Sequence, residues 1–291
     1  MQQIKKNPII IIDGTLYLYY YYYGFPYFKS HLETPSGAIY GILKMMNNLF
    51  QKYHNSKKFI IIFDSFKKTF RNKLFPEYKK NRSPMPNALF LQIKPLFEIL
   101  KNIGIKTLTI PGVEADDIIG SLACKLEKEG EKILIISHDK DMLQLVTNNI
   151  SILHKKNNCI ITPEKIQEQY GIKPKEFIDF LALMGDTSDN IPGVPKIGIK
   201  TALFLLKKFS NIKNIYYNLE KIPFLAFRNA KNIAIQLKNN KETAFLSYQL
   251  ARIKINIPIK ITSKDMFLKK NCYQNLFDFL KKYNSYGQKK F

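Results

Sequence analysis

Five short runs along the chain are largely apolar: "PIIIID" (8–13), "FIIIFD" (59–64), "IKTLTI" (105–110), "KILIIS" (132–137) and "ISILH" (150–154). Strands buried on both faces read this way, so the runs predict a parallel sheet. Between them, 38–53 and 115–130 carry apolar residues three and four apart, the spacing of a helix with one buried face. The second of these stops at Gly130. Strand and helix in alternation predict an open α/β sheet. Beyond about residue 170 the strand signal fades, and 174–186, 200–209 and 240–253 all read as helix. The expected organisation is an α/β domain over 6–172, an all-helical domain over 173–265 and a C-terminal helix or tail over 266–291.

Acidic residues punctuate this pattern. Asp13 and Asp64 end two of the runs, and Asp139 follows a third by two residues. In open parallel sheets, ligands sit off the carboxyl ends of the strands, so these acids gather at one sheet edge. "GVEADDIIG" places Glu114, Asp116 and Asp117 at a helix start, with Glu114 and Asp117 on one face. "MGDTSDNIPG" adds Asp186 and Asp189, and Asp141 follows Asp139 by two. Taken singly, a first-turn acid merely complements the helix dipole, and an aspartate in a turn is ordinary. Together they take a large share of the 23 acids in a chain with 46 basic residues. Clustered carboxylates repel, and some hold protons unless cations intervene. Ligands that are all oxygen suit Mg²⁺ or Mn²⁺ rather than zinc. Two such ions about 3.5–4 Å apart activate water and stabilise the leaving oxygen of a phosphodiester. The residues alone thus point to a metal-dependent phosphodiester hydrolase.

The net charge of +23 calls for a polyanionic partner, although a lysine- and asparagine-rich composition accounts for part of it. Position says more. Arginine occurs only at 71, 82, 228 and 252, and two of these four fall in "SFKKTFRNKLFPEYKKNR" (65–82). That segment sets Lys67, Lys68, Arg71, Lys73, Lys79, Lys80 and Arg82 against the single acid Glu77, with Phe66, Phe70, Phe75 and Tyr78 interleaved. Cations that track phosphates and rings that stack bases make a single-strand site, and the same pattern suits a solvated helix with inward rings. A second segment, "NIPGVPKIGIKTALFLL" (190–206), is a glycine- and proline-rich turn opening a helix, where Gly193, Gly198, Lys196, Lys200 and Thr201 suit a phosphate backbone. Three scattered cysteines, Cys124, Cys159 and Cys272, make neither a disulfide framework nor a zinc site. His31, His54, His138 and His154 lack ligand spacing. No apolar run approaches the ~18 residues of a membrane span. Asp13 interrupts the N-terminal run too early for a signal peptide, so the protein reads as cytoplasmic without a membrane partner.

"DGTLYLYYYYYGFP", "FDSFKKTFRNKLFPEYKKNR", "GVEADDIIG", "SHDKDMLQLV" and "LMGDTSDNIPGVPKIGIKTA", in this order, resemble the 5′-nuclease domain of bacterial DNA polymerase I, of the flap-endonuclease family, from about residue 6 to 260. The resemblance implies a PIN-like α/β nuclease domain with a helical arch. It also implies a helical DNA-binding domain with a helix–hairpin–helix element, often with K⁺, here at 190–201. Asp13, Asp64, Glu114, Asp116 and Asp117 correspond to a first Mg²⁺ group; Asp139, Asp141, Asp186 and Asp189 to a second, with Mn²⁺ as a substitute. Lys79 matches the arch lysine that approaches the scissile phosphate, with Arg71 and Arg82 as basic partners. Lys67, Lys68 and Lys80 are further expected DNA contacts. The implied activity is 5′→3′ exonuclease and 5′-flap endonuclease on DNA flaps, nicks and RNA-primed junctions, by a monomer serving a separate DNA polymerase, since no polymerase domain follows before Phe291. Two rivals stay open: a structure-specific DNA-binding protein with weak catalysis, and an RNA-processing nuclease.

The chain departs from the family at the tyrosine run. Tyr20 stands where the family has an arginine and Tyr23 where it has a histidine. A phenol bonds a phosphate without bringing charge. Tyr22 or Tyr23 is a candidate for stacking on a terminal base. His138 replaces a small residue, and Lys196 and Ile199 replace a glycine and an acid.

Overall fold

The computed structural model describes residues 7–26, 28, 34–154 and 158–287. The expected domain start at residue 6, His31 and the tail residues 288–291 lie outside them. The strands are β1 (Ile9–Asp13), β2 (Phe59–Ile62), β3 (Lys106–Leu108), β4 (Ile133–Ile136), β5 (Ile150–His154) and β6 (Cys159–Ile161). The helices are α1 (Gly14–Gly24), α2 (Gly37–Lys52), α3 (Phe70–Leu74), α4 (Asn87–Ile103), α5 (Ala115–Lys128), α6 (Pro163–Tyr170), α7 (Phe177–Met184), α8 (Ile199–Phe209), α9 (Ile212–Tyr217), α10 (Ala230–Asn239), α11 (Lys241–Ala251) and α12 (Cys272–Gly287).

The sheet order is β3-β2-β1-β4-β5-β6. The first five strands are parallel, and β6 returns antiparallel beside β5; β3, expected as a buried strand, is an edge strand of three exposed or half-buried residues. β6 is three half-buried residues long, too short to register as a pattern. Strand order reverses between β1 and β4, where the two connections leave in opposite directions. A crevice opens at such a switch point, and Asp13 ends β1 on one side of it while Ser137 to Asp139 leave β4 on the other.

Alternate residues of β1 serve two cores. Ile9 and Ile11 pack with α5 and with the helical domain, through Leu181, Leu205 and Leu250. Ile10 and Ile12 pack with α1, α2, α4 and α12. The helical domain therefore shares one face of the sheet. Within the stretch expected as a helix or tail, α12 places Cys272, Leu276 and Leu280 in the second core, against α2 and α4. α4, with Pro95 inside it, is a helix that the apolar-run pattern does not delimit. Among the described residues, no helix is long and apolar enough to cross a membrane.

Candidate active site

Strand ends and helix starts place the acids. Asp13 caps α1, accepting the Leu16 N–H at 3.0 Å through Oδ1, while Oδ2 accepts the Ser137 hydroxyl at 3.1 Å. Ser137 in turn accepts the Asp139 N–H at 3.1 Å, so one buried hydroxyl spaces two carboxylates across the switch point. The Asp64 N–H donates to Thr15 Oγ1 at 2.7 Å, and Asp64 Oδ1 accepts the Ala115 N–H at 2.7 Å at the start of α5. Asp139 caps the turn Lys140–Leu145 by accepting the Asp141 N–H. Asp186 accepts both the N–H and the hydroxyl of Ser188 at 2.7 Å.

Asp13, Asp64, Asp116 and Asp139 line a cavity of about 1420 Å³. Lys67, Lys79 and Arg82 line it too, from the β2–β3 connection that holds α3 and α4. Tyr19, Tyr20, Tyr23, Phe25 and Phe66 line the same cavity. The tyrosine run divides by helical phase. Tyr17, Leu18 and Tyr21 are buried, and Tyr22 packs half-buried against the core. Tyr20 and Tyr23 are 47% and 64% exposed. Tyr20 meets His138 edge-on at 5.6 Å, so the enlarged residue beside Asp139 is accommodated as ring packing.

Electrostatics separates the acids into kinds. Burial pushes the Asp13 carboxyl up to about 7, and Asp64 and Asp139 add to this against the Leu16 N–H. Burial, with Asp139 next, holds Asp116 well above the usual carboxylate range, against the pull of Lys79. Burial also raises Asp64 and Asp139, and raises Asp141 strongly with Asp139, Asp189 and Asp186 beside it. These acids are short of cations. Glu114 is not: burial opposes its charge, but Lys79 and Arg71 outweigh it and bring the group down to about 2. Its Oε2 accepts Lys79 Nζ at 2.6 Å and the Tyr78 hydroxyl at 3.1 Å, and its Oε1 accepts Thr69 Oγ1 and Arg71. Ser188 and Lys140 likewise overcome burial to hold Asp186 below its ordinary range, Lys140 lying 3.1 Å away. Asp189 pairs with Arg82 and stands 3.6 Å from Lys79.

Two expected site residues sit apart from this crevice. Asp117 forms a two-pronged pair with Arg71, at 2.8 and 2.9 Å, and also accepts the Lys254 N–H at 2.8 Å. Arg71 is only 3% exposed, and its remaining donors reach the carbonyls of Leu250 and Arg252. The pair ties α3 to α5 and to the end of α11. Of the other basic candidates, Lys67 is at the cavity rim, Lys68 is exposed, and Lys80 is exposed and paired with Glu77. Lys196 and Gly198 are exposed on the turn before α8, and Lys200 is exposed and Thr201 half-buried in its first helical turn. Gly193 is buried, and its N–H is already given to Ser247 Oγ at 3.0 Å. A Cβ there would lie 2.4 Å from the Gly185 nitrogen, so close backbone approach is what requires glycine. Sequence reasoning did not single out Thr15, Ser137, Ser188 or Lys140. Each lies within two residues of an acid, and hydroxyls so placed are the available signal.

The site suits a hard, hydrated cation. Its donors are carboxylate oxygens, several forced toward protonation, and Asp141 Oδ1 is buried without a hydrogen bond. Among the described residues no three His, Cys, Asp or Glu side chains are already gathered closely enough to hold a metal ion directly. Mg²⁺ keeps several waters and uses one or two carboxylates, so acids standing back from one another fit it better than a closed zinc cage would.

Two family models cover most of the chain. Residues 8–171 match the 5′-3′ exonuclease N-terminal resolvase-like domain, and residues 172–274 match the 5′-3′ exonuclease C-terminal SAM fold. The chain belongs to the 5′-3′ exonuclease family. A 5′-3′ exonuclease of Buchnera aphidicola subsp. Acyrthosiphon pisum is 72% identical over 98% of this chain and 100% of its own length. DNA polymerase I of Pseudomonas aeruginosa is 40% identical over 89% of this chain, which spans 28% of that protein. The T5 5′-exonuclease with bound divalent zinc shares the fold, with a TM-score of 0.69 at 23% identity, covering 97% of this chain and 100% of that one. As a 5′-3′ exonuclease family member, the chain is a nuclease, a phosphodiester hydrolase with a resolvase-like sheet domain and a helical SAM-fold domain.

Proposed function

We propose that the protein is a Mg²⁺-dependent 5′→3′ exonuclease and structure-specific 5′-flap endonuclease on DNA, removing primers and flaps in replication and repair. One observation carries this reading. Asp13, Asp64, Asp116 and Asp139 stand at the switch point, short of cations, and line one cavity together with Lys79, Arg82 and exposed rings. A protein that only gripped DNA would gain nothing from repulsive acids facing phosphates.

Asp13, Asp64, Asp116 and Asp139 would hold one divalent ion, with Glu114 behind them, and Asp141, Asp186 and Asp189 a second. Mn²⁺ would substitute. Such ions supply the Lewis acidity that activates water and stabilises the leaving oxygen. Ser137 and Thr15 fix the acids that hold them. Lys79 stays charged, because Glu114, Tyr78 and Asp189 outweigh burial, and with Arg82 it faces the phosphate. The arch rim carries Lys67 and Phe66 for the unpaired strand. The turn before α8 offers Lys196, Lys200 and Thr201 to the duplex backbone, with K⁺ as its ion. The partners are DNA and a separate polymerase.

Tyr20 favours a second reading, a flap-DNA-binding protein with slow catalysis, because a phenol brings no charge to the arginine's place. Cleavage of labelled 5′-flap duplexes, DNA and RNA, is measured with Mg²⁺, with EDTA and with Asp116→Ala. Cleavage near the DNA junction that requires both metal and Asp116 is expected. Tight binding without cleavage in Mg²⁺ and Mn²⁺ supports the second reading, and faster cleavage of the RNA form assigns the site to RNA processing.

A further inference from the structure

The basic turn of the arch is fastened to the loop that leads into the α8 turn. Asn190 Nδ2 donates to the Glu77 carbonyl at 2.7 Å, and Asn81 Nδ2 donates to the Thr187 carbonyl at 2.6 Å. Between them, the Lys79 N–H donates to the Asp189 carbonyl at 2.9 Å. The loop itself is closed by the paired backbones of Asp186 and Ile191, at 2.9 and 2.8 Å. Immediately after Ile191 come Pro192 and the exposed turn before α8. Lys79 has φ +55° and Asn190 has φ +55°. Asparagine tolerates this left-handed backbone, but lysine does so rarely and is held there only where its surroundings fix it. The two amides brace the strained lysine from either side, and they do so through the only loop that also supplies Asp186 and Asp189.

We propose that Asn81 and Asn190 are positioning residues that clasp the arch to the helical domain, so that duplex DNA seated on the turn before α8 sets Lys79 and Arg82 over the carboxylates. The clasp makes the helical domain more than a handle for DNA. A duplex that shifts the 186–191 loop shifts the Lys79 backbone with it, because the two are hydrogen-bonded main chain to main chain. A single strand that enters the cavity without a duplex leaves the loop, and hence the cations, unset. Preference for a junction over a plain single strand then resides partly in two uncharged side chains that act through the Lys79 backbone. The substrate half of this inference rests on the nuclease reading; the clasp itself does not.

The test uses the full chain with Asn190→Gly, Asn190→Asp and Asn81→Ala. Glycine keeps the left-handed backbone and removes the amide, and aspartate keeps the shape and removes the donor. Two readouts are taken: hydrogen exchange of the Lys79 amide in the metal-free, DNA-free protein, and kcat and KM on a 5′-flap duplex and on the same single strand. Loss of one of the two side-chain bonds that flank the Lys79 amide predicts about tenfold faster exchange at Lys79 in each variant. Misplaced cations predict a kcat on the flap at least about tenfold lower with KM within about twofold, and a narrower preference for flap over single strand. Unchanged exchange at Lys79 overturns the clasp. Faster exchange with an equal loss on both substrates overturns the coupling to duplex. If one variant unfolds, the other two carry the same test. If the unaltered protein cleaves nothing, the nuclease reading and the coupling to duplex both fail, and Lys79 exchange still decides the clasp.

Discussion

At the scale of single residues, the local surroundings decide what an acid or a ring does. Asp116 and Asp117 are adjacent in sequence, and a helix turns about 100° between neighbours. One faces the cavity and the other is taken by Arg71. Sequence could mark the strand-ending acids Asp13 and Asp64 because their positions are set by the chain next to them. It could not split 116 from 117, because the residue that separates them arrives from more than 40 positions away. The five tyrosines are a similar case: an unbroken run hides its own period, and only the core shows that 20 and 23 face outward. Replacing Tyr20 by arginine adds a charge-assisted bond where a neutral one stands, so Tyr20→Arg is expected to raise single-turnover flap cleavage about fivefold. An unchanged or lower rate would show that the ring, not the missing charge, matters there. Asp179 lies outside the crevice, buried, accepting the Ile212 N–H at 2.9 Å. Burial pushes its carboxyl from 3.8 up to about 6. A raised folded value favours the fold below pH 4 and loses that contribution as pH climbs through about 6. Asp179→Asn keeps the acceptor and abolishes the charge. It should unfold at higher urea than the parent at pH 8, by up to about 3 kcal/mol, and the gap should shrink at pH 5.

Among the elements, length and purity of pattern governed what could be read. The four central strands come from strongly apolar runs, and the structure has them within two residues of those runs. β6 and α3, three and five residues long, fall below any periodic window. α3 matters beyond its size, because it carries Arg71 into the seam between α5 and the last turn of α11. A basic segment with interleaved rings suggested a DNA contact there, whereas the guanidinium has five donors and spends them inside the protein. Removing one member of a buried pair leaves the other charged and alone, so Arg71→Ala should cost about 3–5 kcal/mol in chemical unfolding. A residue that merely touched phosphate would leave unfolding unchanged and weaken DNA binding with a smaller salt slope.

For the molecule as a whole, the charge distribution sets two opposed fields. The surface carries most of the excess that makes the net charge +23, which draws nucleic acid from any direction. The crevice is its negative image, and several of its acids are held above their ordinary range. Ions that bind only the folded arrangement stabilise it by mass action, about 2.7 kcal/mol at a hundred times the dissociation constant. Mg²⁺ should therefore raise the melting temperature by roughly 4–5 °C in a chain of this size, EDTA should reverse it, and Asp139→Asn should remove most of it. Equal shifts in parent and variant would place the bound ions elsewhere. The α/β-then-helical order was legible because period changes from unbroken runs to helical spacing near residue 170. The shared core between the two parts was not, since it depends on which face of the sheet each helix covers.

The reversal of strand order between β1 and β4 also has a meaning in time. Asp13 leaves the ribosome early, Asp139 much later and the 186–190 loop later still, at about 5–20 residues per second. The acids of the crevice are thus apart for on the order of ten seconds of synthesis. A nascent chain holds its cutting edge in pieces, and the blade closes only once the 186–190 loop has been made.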